Sequence, residues 1–188
     1  QKWAKQDGSL RNKNDSHRFT EFNQHIFDVI DSEEKAYWLG FLYADAYNCE
    51  LTNTFNLTLA TKDLDHVEKF TIFVGLPLDR ITTEESKYGG YWSSHISLYS
   101  KHICQQMKLL GCPQAKSFII KYPEWLNDNF HNHFIRGMFD GDGCLTFREK
   151  QKEWKWSLVS PKECCAVIKS IFKEKAGIEI SFECISKT

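Results

Sequence analysis

The chain lacks the marks of several large protein classes. No apolar run reaches the ~18–20 residues of a bilayer-crossing helix, so no membrane span is expected. The opening stretch, QKWAKQDGSLRNKNDSHR, is polar throughout and has no apolar core of the kind a secretory signal carries. The histidines show no H-x3-H or HExxH spacing and the cysteines no CxxC pair, and adjacent Cys164 and Cys165 are poorly placed to share one metal. Local spacing therefore gives no zinc signature. The seven cysteines are odd in number and irregularly placed, which argues against a disulfide framework and for reduced thiols in an intracellular protein. Nor is there an excess of one charge: 24 basic against 25 acidic residues give a formal net charge of -1.

What is present is globular. Of the 188 residues, 41% are hydrophobic and 14% aromatic, enough for one domain of ordinary size or two small lobes sharing a core. The basic residues are clustered. Lys2, Lys5, Arg11, Lys13 and Arg18 stand against only Asp7 and Asp15. Between residues 144 and 175, Arg148, Lys150, Lys152, Lys155, Lys162, Lys169, Lys173 and Lys175 face four glutamates. Such clusters bind phosphates even on a neutral protein, although by themselves they equally describe solvated faces.

The chain repeats itself. Placing Gly40 on Gly137 also pairs Ala44 with Gly141 and Asp45 with Asp142, a constant offset of 97 positions. KDLDHVEKF (Lys62 to Phe70) then aligns with KECCAVIKS (Lys162 to Ser170) at an offset of 100, and both copies reach a glycine, Gly75 and Gly177. Similar segments in one order at nearly one offset predict duplicated lobes.

Periodicity supplies the elements. Helices are expected over residues 33–45, 64–74, 101–110, 129–141 and from Pro161 to about residue 177. Strands are expected over 54–60, 80–83, 91–99, 145–150 and 154–160. The fold class is α+β, with lobes ordered α-β-β-α-β-β-α. Three regions are expected: a basic arm or linker over 1–26, a first lobe over 27–128 and a second over 129–188. The first lobe continues for 53 residues after Gly75, while eleven follow Gly177. With Gln1 in place of an initiator Met, this predicts a fragment whose second lobe is cut short.

Two helices end on a carboxylate. Gly40 and Ala44 share one helical face, as do Gly137 and Gly141. Small residues at that spacing let backbones approach closely, and two such helices side by side in parallel bring Asp45 and Asp142 together. The carboxylates then repel each other, and each sits at the negative end of a helix dipole. A divalent cation, Mg²⁺ or Mn²⁺, is the natural counter-charge, since Mg²⁺ binds through one or two carboxylates plus substrate phosphates. A lone Asp after an apolar helix is ordinarily a solvated terminal residue; two at equivalent repeat positions shift the balance to function.

WLGFLYADA (Trp38 to Ala46) and IRGMFDGDG (Ile135 to Gly143) resemble the LAGLIDADG motif. The second matches closely. The first departs at Tyr43, where the motif usually has Asp, and at Ala46, where it usually has Gly. The resemblance spans roughly residue 27 to the C-terminus and implies a homing endonuclease of the two-motif, single-chain type. Its implied fold is a pseudo-twofold pair of lobes joined by the motif helices, with β-sheets forming a saddle over double-stranded DNA. Its implied activity is metal-dependent hydrolysis of both strands across the minor groove, leaving short 3′ overhangs, with the eighth-position acids Asp45 and Asp142 as catalytic and metal-binding residues. The family often adds a lysine near the centre; Lys101 and Lys116 are the candidates here. The family also implies an intracellular monomer, from an intron, an intein or another mobile element. GSLRNKNDSHR resembles the end of a helix-turn-helix segment, and an inert linker is an equal reading.

Strand alternation predicts the residues that face DNA. In the first lobe these are Asn56, Thr58, His95, Ser97 and Tyr99; in the second, Thr146, Arg148, Lys150, Lys155 and Ser157, with Leu145, Phe147, Trp156 and Leu158 facing the helices. Trp154 and Trp156 are expected in the core. Two further classes compete with the endonuclease: a non-cleaving DNA- or RNA-binding protein on the same scaffold, such as a regulator or intron maturase, and an intein endonuclease core. Retention of both acids favours the enzyme, although a chain with an incomplete second lobe is expected to cut weakly or not at all.

Overall fold

A computed structural model of the chain describes residues 22–86, 89–116 and 119–181. The basic arm expected over 1–26 thus lies, up to residue 21, outside the described residues. Eleven regular elements occur in the order α1 (Glu33–Asp45), β1 (Ala46–Cys49), β2 (Thr54–Ala60), α2 (Leu64–Phe73), β3 (Thr82–Glu85), β4 (Trp92–Tyr99), α3 (Lys101–Leu109), α4 (His131–Asp142), β5 (Gly143–Arg148), β6 (Glu153–Leu158) and α5 (Lys162–Ala176). The fold is α+β. Its first seven elements run α-β-β-α-β-β-α, and the last four run α-β-β-α. No helix among the described residues is long and apolar enough to cross a membrane.

Local chemistry explains the helix ends. The Ser32 hydroxyl accepts a hydrogen bond from the Lys35 amide at 3.2 Å, and Glu33 and Glu34 sit in the first turn of α1, where the helix dipole favours acids. Ser100 caps α3 in the same way through the Ile103 amide. Gly177 closes α5 with a φ of 66°, the left-handed conformation glycine adopts without penalty. Helix α1 buries residues on every side, from Ala36 and Trp38 to Tyr43, as a central helix must.

All pairing is antiparallel. The first sheet has the order β1-β2-β4-β3 and the second is the hairpin β5-β6. Phe55, Leu57, Ile96 and Leu98 point from the first sheet into one core with Leu39 and Leu42 of α1, Val67 and Phe70 of α2, and Ile103 and Met107 of α3. Ile26 and Phe27 join this core, and the Asn23 amide donates to the Val74 carbonyl at 2.9 Å, so the first packed unit starts before residue 27.

Several expectations need correction. Strand β1 was not foreseen, because AYNC is too short to display a period of two. Leu78–Arg80 form a 3-10 turn after Pro77, which moves the strand expected at 80–83 to Thr82–Glu85. Strand β5 begins at Gly143, directly after the helix, and ends at Arg148, so Lys150 lies in the turn and not on the strand. Of the two tryptophans expected in the core, only Trp156 is packed, stacked on Phe139 at 4.9 Å and tilted against Phe172 at 5.5 Å. Trp154 is 66% exposed, and Leu145 (55%) and Phe147 (42%) on the same hairpin face reach past the helices that cover Trp156.

Candidate active site

The site is built on the seam between α1 and α4. A Cβ on Gly40 would collide with the Phe134 carbonyl, and one on Gly137 with the Tyr37 carbonyl. A Cβ on Gly141 would overlap the Ala44 side chain and stand 2.9 Å from an Asp45 carboxylate oxygen. Only glycine permits this backbone approach. Contacts advance in the same direction along both helices, from Tyr37 and Phe134 to Ala44 and Gly141, so the helices are parallel.

The seam is also reciprocal. Gly40 abuts Phe134 and Met138, and Gly137 abuts Tyr37 and Phe41. Those residues are related by the offset of 97 found in the sequence, which takes Tyr37 to Phe134 and Phe41 to Met138. A second pair obeys the same rule. Tyr37 donates a 2.8 Å hydrogen bond to Asp140, while Phe134 lies edge-on to Tyr43 at 4.9 Å, and the same offset takes Tyr43 to Asp140. The contacts of the two helices are thus reciprocal along the seam.

Asp45 and Asp142 are therefore the last residues of parallel helices, each followed at once by a strand. Asp45 is half-buried. Loss of solvent, then the Asp142 charge beside it, pushes its carboxyl up to about 6, with Lys116 opposing and Asp63 adding to the rise. Asp142 is more exposed, yet partial desolvation also raises it, again opposed by Lys116. A cation placed beside two carboxyls raised in this way favours their ionised forms.

Lys116 supplies part of that charge. It is only 8% exposed. Its ammonium donates to the Ala44 carbonyl at 3.1 Å and to the Ala46 carbonyl, capping the C-terminal end of α1. Burial lowers its pKa, whereas the Cys112, Asp142 and Asp45 charges act to raise it. Lys101, the other candidate, is not brought to the site. It follows Tyr99, which pairs with Thr54, which pairs with Cys49, and so lies beyond the end of β1 opposite Asp45.

Other residues complete the surroundings. Asn48, buried on β1, donates to the Cys104 and Cys112 carbonyls at 2.9 and 3.0 Å, fixing α3 and the loop that delivers Lys116. Tyr37 links His66 at 3.2 Å to Asp140, with Arg136 over its ring at 4.7 Å. Beside Asp45 opens a cleft of about 560 Å³ lined by Lys62, Asp63, Asp65, His66 and Asp140, among others. Sequence reading missed Asn48, Tyr37 and Asp140. Asp140 had one available signal, its place at the motif position that Tyr43 fills in the first copy.

The expected groove-facing sets fall on common faces. Asn56 pairs with Ser97, Thr58 with His95 and Thr54 with Tyr99, all opposite the core residues of β2 and β4. No lysine or arginine occurs among the residues that register places on this face of the four strands. On the hairpin, Thr146 faces Lys155 and Cys144 faces Ser157, while Arg148 is engaged by Glu153 at 3.2 Å. The oxygen-only pair of carboxylates, one side open to water, fits a hard divalent cation such as Mg²⁺ or Mn²⁺ and not a soft one.

No family model and no curated protein sequence matches the chain. Among solved structures, the chain is similar to the crystal structure of the I-LtrWI LAGLIDADG homing endonuclease bound to target DNA. The likeness is faint: TM-score 0.41 and 12% identity over 78% of this chain and 74% of that one.

Proposed function

We propose that this chain is a site-specific, double-strand DNA endonuclease of the homing type, with Asp45 and Asp142 as the shared metal ligands. One observation carries the reading: a reciprocal, glycine-sealed helix pair presents two carboxylates at a single point, at an electrostatic cost that packing alone does not require. A divalent cation there supplies the Lewis acidity and charge neutralisation that phosphodiester hydrolysis needs. The chain's own contributions follow from position. Each aspartate serves one strand. Lys116 holds both acids towards their ionised forms and fixes the end of α1. The first sheet face, which carries Asn56, Thr58, His95, Ser97 and Tyr99 beside the acid Glu84, reads base edges, while Thr146, Lys155 and Ser157 on the hairpin and Lys150 in its turn add base and phosphate contacts. The protein acts as a monomer of two pseudo-symmetric lobes that meet at the seam between α1 and α4.

The test is cleavage of a randomised DNA target library by the full-length protein with Mg²⁺ or Mn²⁺. Specific cutting is expected from the wild type and none from Asp45→Asn or Asp142→Asn, both still binding the selected site. Cutting that survives either substitution sinks the metal-site reading. Specific binding without cutting by the wild type assigns the chain to the non-cleaving class instead.

A further inference from the structure

Three residues far from the helix seam form a compact N₂O donor set. His25 and Asp28 belong to the turn that precedes α1, and His102 stands in the first turn of α3. One ligand atom from each lies within 4.8 Å of the other two. His25 Nδ1 is 2.7 Å from one Asp28 oxygen and His102 Nε2 is 2.6 Å from the other. The imidazole centroids are 4.2 Å apart. No H-x3-H spacing announced this cluster, because 74 positions separate Asp28 from His102.

We propose that His25, Asp28 and His102 form a surface site for a borderline divalent transition metal, of which Zn²⁺ is the type, that clips the 22–28 turn to α3. Two imidazoles and one carboxylate suit Zn²⁺ or Co²⁺ and not Mg²⁺. The fourth position faces solvent and is open to water. Bonds of about 2.0–2.1 Å in tetrahedral geometry place donor atoms about 3.3 Å apart; the two nitrogens now sit on different Asp28 oxygens, so entry of the ion needs both rings to back away and turn onto one of those oxygens. The backbones are already fixed for this. Phe27 is fully buried and its carbonyl accepts from Gln106 of α3 at 3.2 Å. Ser100, the α3 cap, donates to Gln24 at 2.7 Å. Ligands from two segments thus stand on a common framework, and the site is separate from Asp45 and Asp142.

The competing account is that Asp28 merely accepts hydrogen bonds from two histidines. Zn²⁺ titration by calorimetry, with Co²⁺ absorption as the spectroscopic probe, separates the two. The expected result is one equivalent of Zn²⁺ with a Kd in the micromolar range, undisturbed by excess Mg²⁺, and a rise in Tm of about 5 °C at saturation. His25→Ala and His102→Ala are each expected to weaken binding 100-fold or more. His102→Gln keeps a donor for Asp28 without a good ligand, so it is expected to retain the metal-free Tm but lose the Zn²⁺ response. Unchanged affinity in the histidine variants, sulfur-to-cobalt charge-transfer absorption from a cysteine site, or no Zn²⁺-dependent rise in Tm would each overturn the proposal.

Discussion

The two sides of the helix seam share a pattern but not an environment. On the α1 side, a four-stranded sheet and two further helices bury the motif helix on every face, and Asp45 is drawn half out of water. On the α4 side the described strands form a two-stranded hairpin that exposes Leu145, Phe147 and Trp154, and Asp142 is exposed. The backbones nevertheless meet with reciprocal contacts. Close approach is therefore set by small residues on the two facing stripes, whereas surrounding burial sets the electrostatics. Equivalent positions have diverged accordingly. Asp140 reaches Tyr37 across the seam, while Tyr43 turns into the core, lies edge-on to Phe134 and donates its hydroxyl to the Leu110 carbonyl.

The most direct way to break this comparison is to remove the seam. Gly40→Val and Gly137→Val each drive a branched side chain into a backbone carbonyl, and either is expected to cost about 3 kcal/mol or more, or to prevent folding. Urea denaturation measures this; a cost below about 1 kcal/mol would mean that the helices can separate without loss.

Next in size is Lys116, the cation at the C-terminal end of α1, which has no counterpart at the end of α4 among the described residues. Lys116→Met leaves the Ala44 and Ala46 carbonyls without their donor, at a cost of about 2 kcal/mol. The same change removes the charge that restrains Asp45, so the acid limb of any cleavage profile should move to higher pH.

The third test uses the inequality of the two acids. Asp45 titrates ordinarily near 3.8 in an unfolded chain and near 6 when folded. The folded state binds that proton more tightly, so without metal the stabilising preference is full at the acid end and is lost as pH rises from about 4 through about 6. A loss on the order of 1–2 kcal/mol is expected after allowing for the exposed side of the group. Asp45→Asn should flatten the curve across this window more than Asp142→Asn does. Equal flattening would mean the seam does not distinguish its two sides.

The smallest effect belongs to the open hairpin. Trp154→Ala is expected to change stability by less than about 0.5 kcal/mol. A loss above about 1.5 kcal/mol would show that this face is covered.

Legibility in the sequence followed the range of the interaction. The motif helices were readable because close packing demands small residues four apart, a local rule, and α1 ends at the Asp45 expected of it. The sets on β2 and β4 that face away from the core were readable from a period of two. Strand β1 was not, since four residues show no period, and neither was the exposed end of the β5-β6 hairpin, because alternation tells direction and not what lies above. Lys116 and Lys101 were indistinguishable by sequence; only the loop after α3 decides which reaches the C-terminal end of α1. Asn48, Tyr37 and the link from Asp28 to His102 depend on partners 29 to 103 positions away in the chain, beyond any local pattern.

The central claim is that the seam holds two acids which need a cation. Its most direct test is carboxyl-carbon NMR of Asp45 and Asp142 across pH, with and without Mg²⁺ and a bound DNA duplex. The account predicts an Asp45 titration near pH 6 in the free protein that moves down sharply when Mg²⁺ and DNA are present together. Titration near pH 4 in the free protein, or a midpoint that ignores Mg²⁺, would contradict it.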